Sequence, residues 1–503
     1  MSDEHKSLSD PCDVTIRQQA EIIRQQADRL QQLEEEVQRL KKLLEGKAGA
    51  KAAKKPKFAE NYSLDRNKRN KQTNKRKKSS GRRTIKAKRD LATVQVDVYH
   101  DNATRESCIR HRSQFVWRLI DGKAVYVCYH IYDLPDSRDL PLPPAVRNSR
   151  CEFGMEIILI LAFLHFWIGV SLDNACQVME FFTGLKLPKS QADSLLSQLS
   201  KDWNEQYDTI AELIALQMIV YIDETGWKVG SKSCYTWVFS TAMHVLYRCG
   251  VSRRKEEAID VLGAAFDGIG VTDDYAAYKS LFSQHQLCWA HLIRKVIKLA
   301  LQHPDEQEYA EFLDQLCSIY ADAKELRAAH AAAVDANSDK TPSELEAIIT
   351  KLQARIEALC TRYEEPIIKS KEETSTTDTV QTATPQHVET FILLQRELMN
   401  SLDCLFVFVA HPDVEPTNNR SERNVRREAE IRKGARTSKT KKGAKRRSVI
   451  VTVLASLQTR FEQFTLSTLL AEVTGWLETG RSIFEQELKD LQSSRASPQP
   501  AAA

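Results

Sequence analysis

Glycine and proline are scarce, 17 and 15 among 503 residues, which argues against a turn-rich all-β protein and for long helices. Paired cysteines are missing: eleven are scattered singly, the count is odd and no Cys-x-x-Cys occurs. A disulfide framework is excluded on that ground, and the thiols read as small buried hydrophobes in a reducing, cytoplasmic compartment. No apolar run is long enough to span a bilayer; the longest, Ile157 to Val170, has 14 residues and contains His165. Met1–Asp10 is polar and does not read as a secretory signal. A large net charge is lacking too, at +4.

That small net charge hides an uneven distribution. Residues 47–89 hold 18 Lys/Arg against Glu60 and Asp65, a net of +16. Residues 418–447 hold 13 Lys/Arg against Glu422, Glu428 and Glu430, a net of +10, so the remainder carries −22. Two cationic segments on an acidic body point to a polyanion partner, most simply nucleic acid. Hydrophobic residues make up 42%, enough to bury a sizeable core in a chain long enough for several domains.

The pattern along the chain divides into eight stretches. Residues 1–46 contain a heptad, with Ile16, Ile23, Leu30, Val37 and Leu44 seven apart and Leu33 and Leu40 on the second seam. This predicts a coiled coil over 16–44 and homo-oligomer formation; an amphipathic helix docked on its own domain is the competing explanation. Residues 47–90 have almost no apolar side chains and read as a disordered basic linker, either gripping phosphates or acting as a solvated spacer. Residues 91–150 show short β-like runs, a small N-terminal module. Residues 151–210 are helical, and the segments around 171–183 and 189–202, joined by a Gly-containing turn, read either as a DNA-binding helix-turn-helix or as an ordinary helical hairpin. From 211 to 300 an α/β pattern of three strands, a helix and a further strand resembles the start of a ribonuclease H-like sheet. Residues 301–385 are a helical insertion ending in a polar flexible loop, 386–465 complete the catalytic core with a basic helix, and 466–503 are a C-terminal helix and disordered tail.

Three acids sit where a catalytic carboxylate belongs. Asp223 is expected to end the apolar strand of MIVYIDETGW, Asp273 ends the strand of GVTDDYAAY, and Glu422 lies at a helix start in EPTNNRSERNVRR, with Asn418 or Asn419 as N-cap. Each alone is unremarkable, since an Asp after a strand is usually a turn residue. Together they offer hard oxygen ligands for Mg²⁺ or Mn²⁺, and two such ions can drive in-line attack on a phosphodiester. Glu422 and Arg426 are also spaced for a surface ion pair. The density of positive charge beside Glu422 instead marks Arg423, Arg426, Arg427, Arg432 and Lys433 as candidate DNA-binding side chains. His291 in CWAHLIRK reads either as a core or capping histidine or as a site-edge residue, with Arg294 and Lys295 beyond it as further phosphate contacts.

The segments YIDETGWKV, VTDDYAAY, LCWAHLIRK and EPTNNRSERNVRREAEIRKGARTSKTKKGAKRRSVIVTVLASL resemble the insertion-sequence-66 family of DDE transposases. The resemblance covers about 150–300 and 386–460 well and the N-terminal third only in outline. It implies that Asp223 and Asp273 are the two catalytic and metal-binding aspartates and Glu422 the closing glutamate. Family members often have Gly after the second Asp. Here Asp274 takes that place before Tyr275, which favours Asp273 over Asp274. The family's paired N-terminal cysteines are also absent: Cys108, Cys128 and Cys151 stand alone, leaving a zinc ribbon without its ligand pairs.

The implied protein is a Mg²⁺-dependent DNA transposase with a ribonuclease H-like core. Water and then the freed 3′-hydroxyl serve as nucleophiles, without a covalent protein–DNA intermediate. Element ends and target DNA are the partners, and other proteins of the same element are candidate accessories. A metal-dependent nuclease that never joins, and a catalytically silent transposase-derived DNA-binding protein, are the alternatives.

Overall fold

The computed structural model describes residues 84–99, 106–134, 141–278, 280–336, 341–373, 385–434 and 436–496. The heptad segment 16–44 and residues 47–83 of the basic linker lie outside the described residues.

Helical structure starts ahead of the expected boundary at residue 90. The Thr84 hydroxyl accepts from Ala87 N–H at 3.2 Å and caps α1 (Ile85–Leu91). Strands β1 (Val94–Val98), β2 (Ile109–Ile120) and β3 (Lys123–Asp133) form a sheet of order β1-β3-β2. Asp121 and Gly122 both take positive φ (49° and 75°), the two-residue turn that suits strand twist in a hairpin.

Four helices follow: α2 (Met155–Ala162), α3 (Leu172–Thr183), α4 (Lys189–Asp202) and α5 (Asn204–Ala215). Within the stretch expected to be helical from residue 151, helix begins only at Met155. After Ala162 the chain widens into a π-helical turn, Phe163–Trp167, which buries Phe166 and Trp167.

The central sheet contains β4 (Ile219–Val229), β5 (Lys232–Ser240) and β6 (Val245–Val251), then α6 (Glu256–Leu262), β7 (Ile269–Thr272) and β8 (Gln284–Leu287). Its order is β6-β5-β4-β7-β8; β4, β5 and β6 are antiparallel neighbours, while β7 and β8 run parallel to β4. Alternation along β4 sends Val220 and Ile222 into one core and Tyr221 into another, so both faces are covered and the strand reads as a continuous apolar run. Strand β8 is absent from the sequence expectation because Gln-His-Gln-Leu is polar. In place it is stable because buried Gln286 donates to Leu405 O (3.1 Å) and accepts from Phe408 N–H (3.0 Å).

Helices α7 (Trp289–Gln302), α8 (Gln307–Asp335), α9 (Pro342–Glu373), α10 (Gln386–Met399) and the short α11 (Val407–Ala410) build the core on the Tyr221 side around Trp289, Phe312, Phe391 and Phe408. The chain closes with α12 (Asn419–Lys433), α13 (Lys441–Arg460), α14 (Leu466–Thr479) and α15 (Ile483–Ala496). Helical structure therefore enters the expected flexible loop as far as Glu373 and the expected disordered tail as far as Ala496.

Helix α13 covers the β6 edge by hydrogen bonding. The hydroxyls of Ser448, Thr452 and Ser456 accept from the N–H groups of Cys249 (2.9 Å), Tyr247 (2.9 Å) and Val245 (3.1 Å). Four helical residues rise about 6 Å and two strand residues about 6.8 Å, so the two periods stay in step over three contacts. Gly250, with φ +77°, admits this approach: a Cβ there would lie 2.7 Å from that of Ala444.

Candidate active site

Asp223 lies inside β4 and does not end it. The strand continues to Val229, and Asp223 pairs with Val238 of β5. What ends nearby is the other partner. The parallel pairs Ile219↔Ile269, Val220↔Gly270 and Tyr221↔Val271 stop just short, and β7 ends at Thr272. The constant offset of 50 aligns Asp273 with Asp223 two residues past the last pair. Asp273 is fixed by Tyr275 N–H, which donates to its Oδ1 at 3.1 Å.

Helix α12 brings the third acid. Its N-cap is Asn418, whose side chain does not cap the helix; its Nδ2 donates to Ile222 O at 2.7 Å. Ser421 Oγ donates to Val238 O at 3.2 Å, the β5 residue opposite Asp223. These two bonds seat the first turn, and with it Glu422, across β4 and β5 at the level of Asp223. Asn418 N–H also donates to Cys288 Sγ at 3.1 Å, tying α12 to the start of α7.

The electrostatics converge on one carboxyl. Burial, then the charges of Asp273, Glu224 and Glu422, push Asp223 well above the usual carboxylate range, and only the N–H of Glu224 opposes them. Glu224 has partners of its own, which oppose the upward push of burial on its carboxyl. Arg253 Nε donates to it at 2.8 Å, and Tyr278 donates its hydroxyl. The Arg253 guanidinium lies 3.9 Å from the Tyr275 ring centre. This group joins β4 to the loop that carries Asp273.

Glu422 does not pair with Arg426 as the helix spacing allowed. Both its oxygens accept from Arg294 Nη2, at 2.7 and 3.0 Å, and His291 Nδ1 lies 3.2 Å from Oε1. Burial holds the His291 imidazole below its usual value; Glu422 and Asp273 oppose this, while Arg294 and Lys295 add to it. Asp274 turns elsewhere, to a hydrogen bond with Glu397, which also pairs with Lys295. Asp223, Asp273 and Glu422 offer only oxygen ligands, the chemistry a hard divalent cation takes. Among the described residues, those whose ligand atoms lie within 4.8 Å of one another are instead Cys288, His291 and Glu422.

The basic candidates fall into two groups. Arg294 and Lys295 are engaged by Glu422 and Glu397, Arg427 stacks 3.3 Å from the Trp167 ring centre, and Arg432 donates to Gly226 O at 3.0 Å. Arg423, Arg426 and Lys433 are exposed. Further along, Arg447 makes a buried two-pronged pair with Glu428 (2.6 and 2.7 Å) and reaches Phe166 O. Much of the cationic density at 418–447 therefore builds the fold.

Sequence reasoning passed over Glu224, Arg253, Tyr278 and Cys288. The adjacent Asp-Glu of YIDETGW and the three-residue spacing from Cys288 to His291 were the available signals.

A family model described as Transposase IS66 family matches residues 150–446. The chain belongs to that family, and membership implies an enzyme acting on DNA in transposition. The match takes in all three acids and stops one residue before Arg447. Comparison with curated proteins finds no match. No helix among the described residues is long and apolar enough to cross a membrane.

Proposed function

We propose that the chain is a DDE-type DNA transposase that cuts and joins phosphodiesters at a divalent-cation centre formed by Asp223, Asp273 and Glu422. The reading rests on geometry. Asp273 follows β7 in line with Asp223 of β4. The first turn of α12, which carries Glu422, is bonded through Asn418 and Ser421 to Ile222 O and Val238 O, both neighbours of Asp223. The strand order β6-β5-β4-β7-β8, with three antiparallel strands followed by two parallel to the first of them, supports a ribonuclease H-like core. These carboxylates would hold Mg²⁺ or Mn²⁺, which would supply Lewis-acid activation of water and of the phosphoryl oxygen. The chain's own contribution is positional. Asn418 and Ser421 hold Glu422 against the sheet, and the Glu224–Arg253–Tyr278 group holds the Asp273 loop. Exposed Arg423, Arg426 and Lys433 are placed to take phosphates of bound DNA.

The test is cleavage and joining of a duplex carrying the element's end. Asp223→Asn, Asp273→Asn and Glu422→Gln are each expected to reduce Mg²⁺-dependent cleavage to background with DNA binding largely retained, while Asp274→Asn does much less. Near-normal cutting by Glu422→Gln overturns the assignment. Cutting without joining by the wild-type protein indicates a nuclease, and DNA binding without cutting indicates a silent derivative.

A further inference from the structure

Beside the carboxylates lies a donor set of different chemistry. Cys288 immediately precedes α7 and His291 follows three residues later, so the helix turn brings both to one side. Glu422 faces them from α12. One ligand atom from each of the three lies within 4.8 Å of the others: Glu422 Oε1 is 3.2 Å from His291 Nδ1 and 4.0 Å from Cys288 Sγ. Ligands of a tetrahedral Zn²⁺, at about 2.0–2.3 Å from the ion, are about 3.3–3.6 Å apart. The set thus needs only a small contraction to close.

A second observation concerns the sulfur. The N–H of Asn418 donates to Cys288 Sγ at 3.1 Å and holds the sulfur beside Glu422. Thiolate and imidazole with one carboxylate suit a borderline-soft cation; Mg²⁺ prefers six oxygens.

We propose that Cys288, His291 and Glu422 form a Zn²⁺ site with an open fourth position, and that this site competes with the oxygen-ligand centre for Glu422. Binding exchanges the thiol proton, released to solvent, for the metal–sulfur bond. Arg294 has to release Glu422 Oε1. Its side chain is 53% exposed, so it can swing outward. A bound Zn²⁺ withdraws Glu422 from Asp223 and Asp273, which makes zinc an inhibitor of the proposed cleavage. The site itself depends on Cys288 and His291 and stands apart from whether Asp223 and Asp273 are catalytic.

The test uses the full-length protein and Co²⁺ as a coloured substitute for zinc. Wild type is expected to give a sulfur-to-cobalt charge-transfer band with tetrahedral visible bands, displaced by Zn²⁺ in stoichiometric amount. Mg²⁺ in large excess should lower the apparent Co²⁺ affinity, because the two centres share Glu422. Cys288→Ser should lose the charge-transfer band, and His291→Ala and Glu422→Gln should weaken Co²⁺ affinity at least tenfold. Asp223→Asn should keep the full spectrum while losing DNA cleavage. No charge-transfer band in wild type, a band that survives Cys288→Ser, or unchanged affinity in His291→Ala overturns the proposal. A cobalt spectrum in a wild-type protein that cuts no DNA would leave the zinc site standing and remove only the catalytic reading.

Discussion

Asp223 sits buried in a strand interior with Asp273 and Glu422 brought beside it by folding, and of its acidic neighbours the unfolded chain keeps only the adjacent Glu224. Because its folded pKa is raised, the folded protein binds a proton that the unfolded chain has released, and ionisation works against folding. Below the ordinary carboxylate range both states are protonated and the residue makes no difference to stability. As pH rises from that range toward the raised folded value, stability is progressively lost, and the deficit is constant above it. Asp223→Asn removes this penalty. In a metal-chelating buffer the variant is therefore expected to melt higher than wild type at pH 8, the gap closing on acidification to below the usual carboxylate range. Thermal unfolding across pH measures it; equal melting temperatures at pH 8 would show that the charge crowding is absent.

At the scale of elements, the contact between β6 and α13 is unusual in being made by hydroxyls. An edge strand exposes alternate N–H groups, which in other proteins are blunted by charge or by a bulge. Here Ser448, Thr452 and Ser456 accept them from a helix. Thr452 is fully buried, so its loss strands the Tyr247 N–H in a dry interface. Thr452→Val, nearly identical in shape, is expected to cost about 1–3 kcal/mol by denaturant unfolding. A second tie is the buried Arg447–Glu428 pair, which joins α12 to α13 and, through Phe166 O, to the π-helical turn.

At the scale of the whole molecule, charge is partitioned along the chain. The 47–89 segment carries +16, residues 418–447 carry +10 and everything else carries −22. In the second segment several cations are spent on Glu428, Trp167 and backbone carbonyls, as the geometry of Arg447, Arg427, Arg432 and Arg436 records. The first segment, with 15 of its Lys/Arg in residues 47–83, holds the larger net positive charge of the two. Deleting residues 47–83 is expected to weaken non-specific DNA binding and to flatten its dependence on salt by several units of slope, at ~0.9 per phosphate neutralised. Filter binding at 50–300 mM salt reads both quantities; an unchanged slope would make the segment a spacer.

The sequence by itself determined the catalytic candidates, the alternation of helical and α/β stretches, and family membership. These rest on local patterns: an acid after an apolar run, helical periodicity, and a dense Asn-Asn-x-x-Glu-Arg motif whose residues are close neighbours in the chain. An Ala/Glu/Leu-rich composition also marked the stretch that α8 and α9 occupy as helical. Only the tertiary structure decided what depends on partners distant in sequence. The true extent of β4 was hidden because Asp223 to Val229 is held by pairing with β5, not by its own composition. Strand β8 was hidden because Gln286 finds its hydrogen bonds 119 and 122 residues away. The fate of the basic residues was equally illegible: a guanidinium facing phosphate and one clamped on Glu428 are spelled the same way. Likewise the assembly of Cys288, His291 and Glu422 needed α7 and α12 to meet, and their 134-residue separation leaves no trace in local pattern.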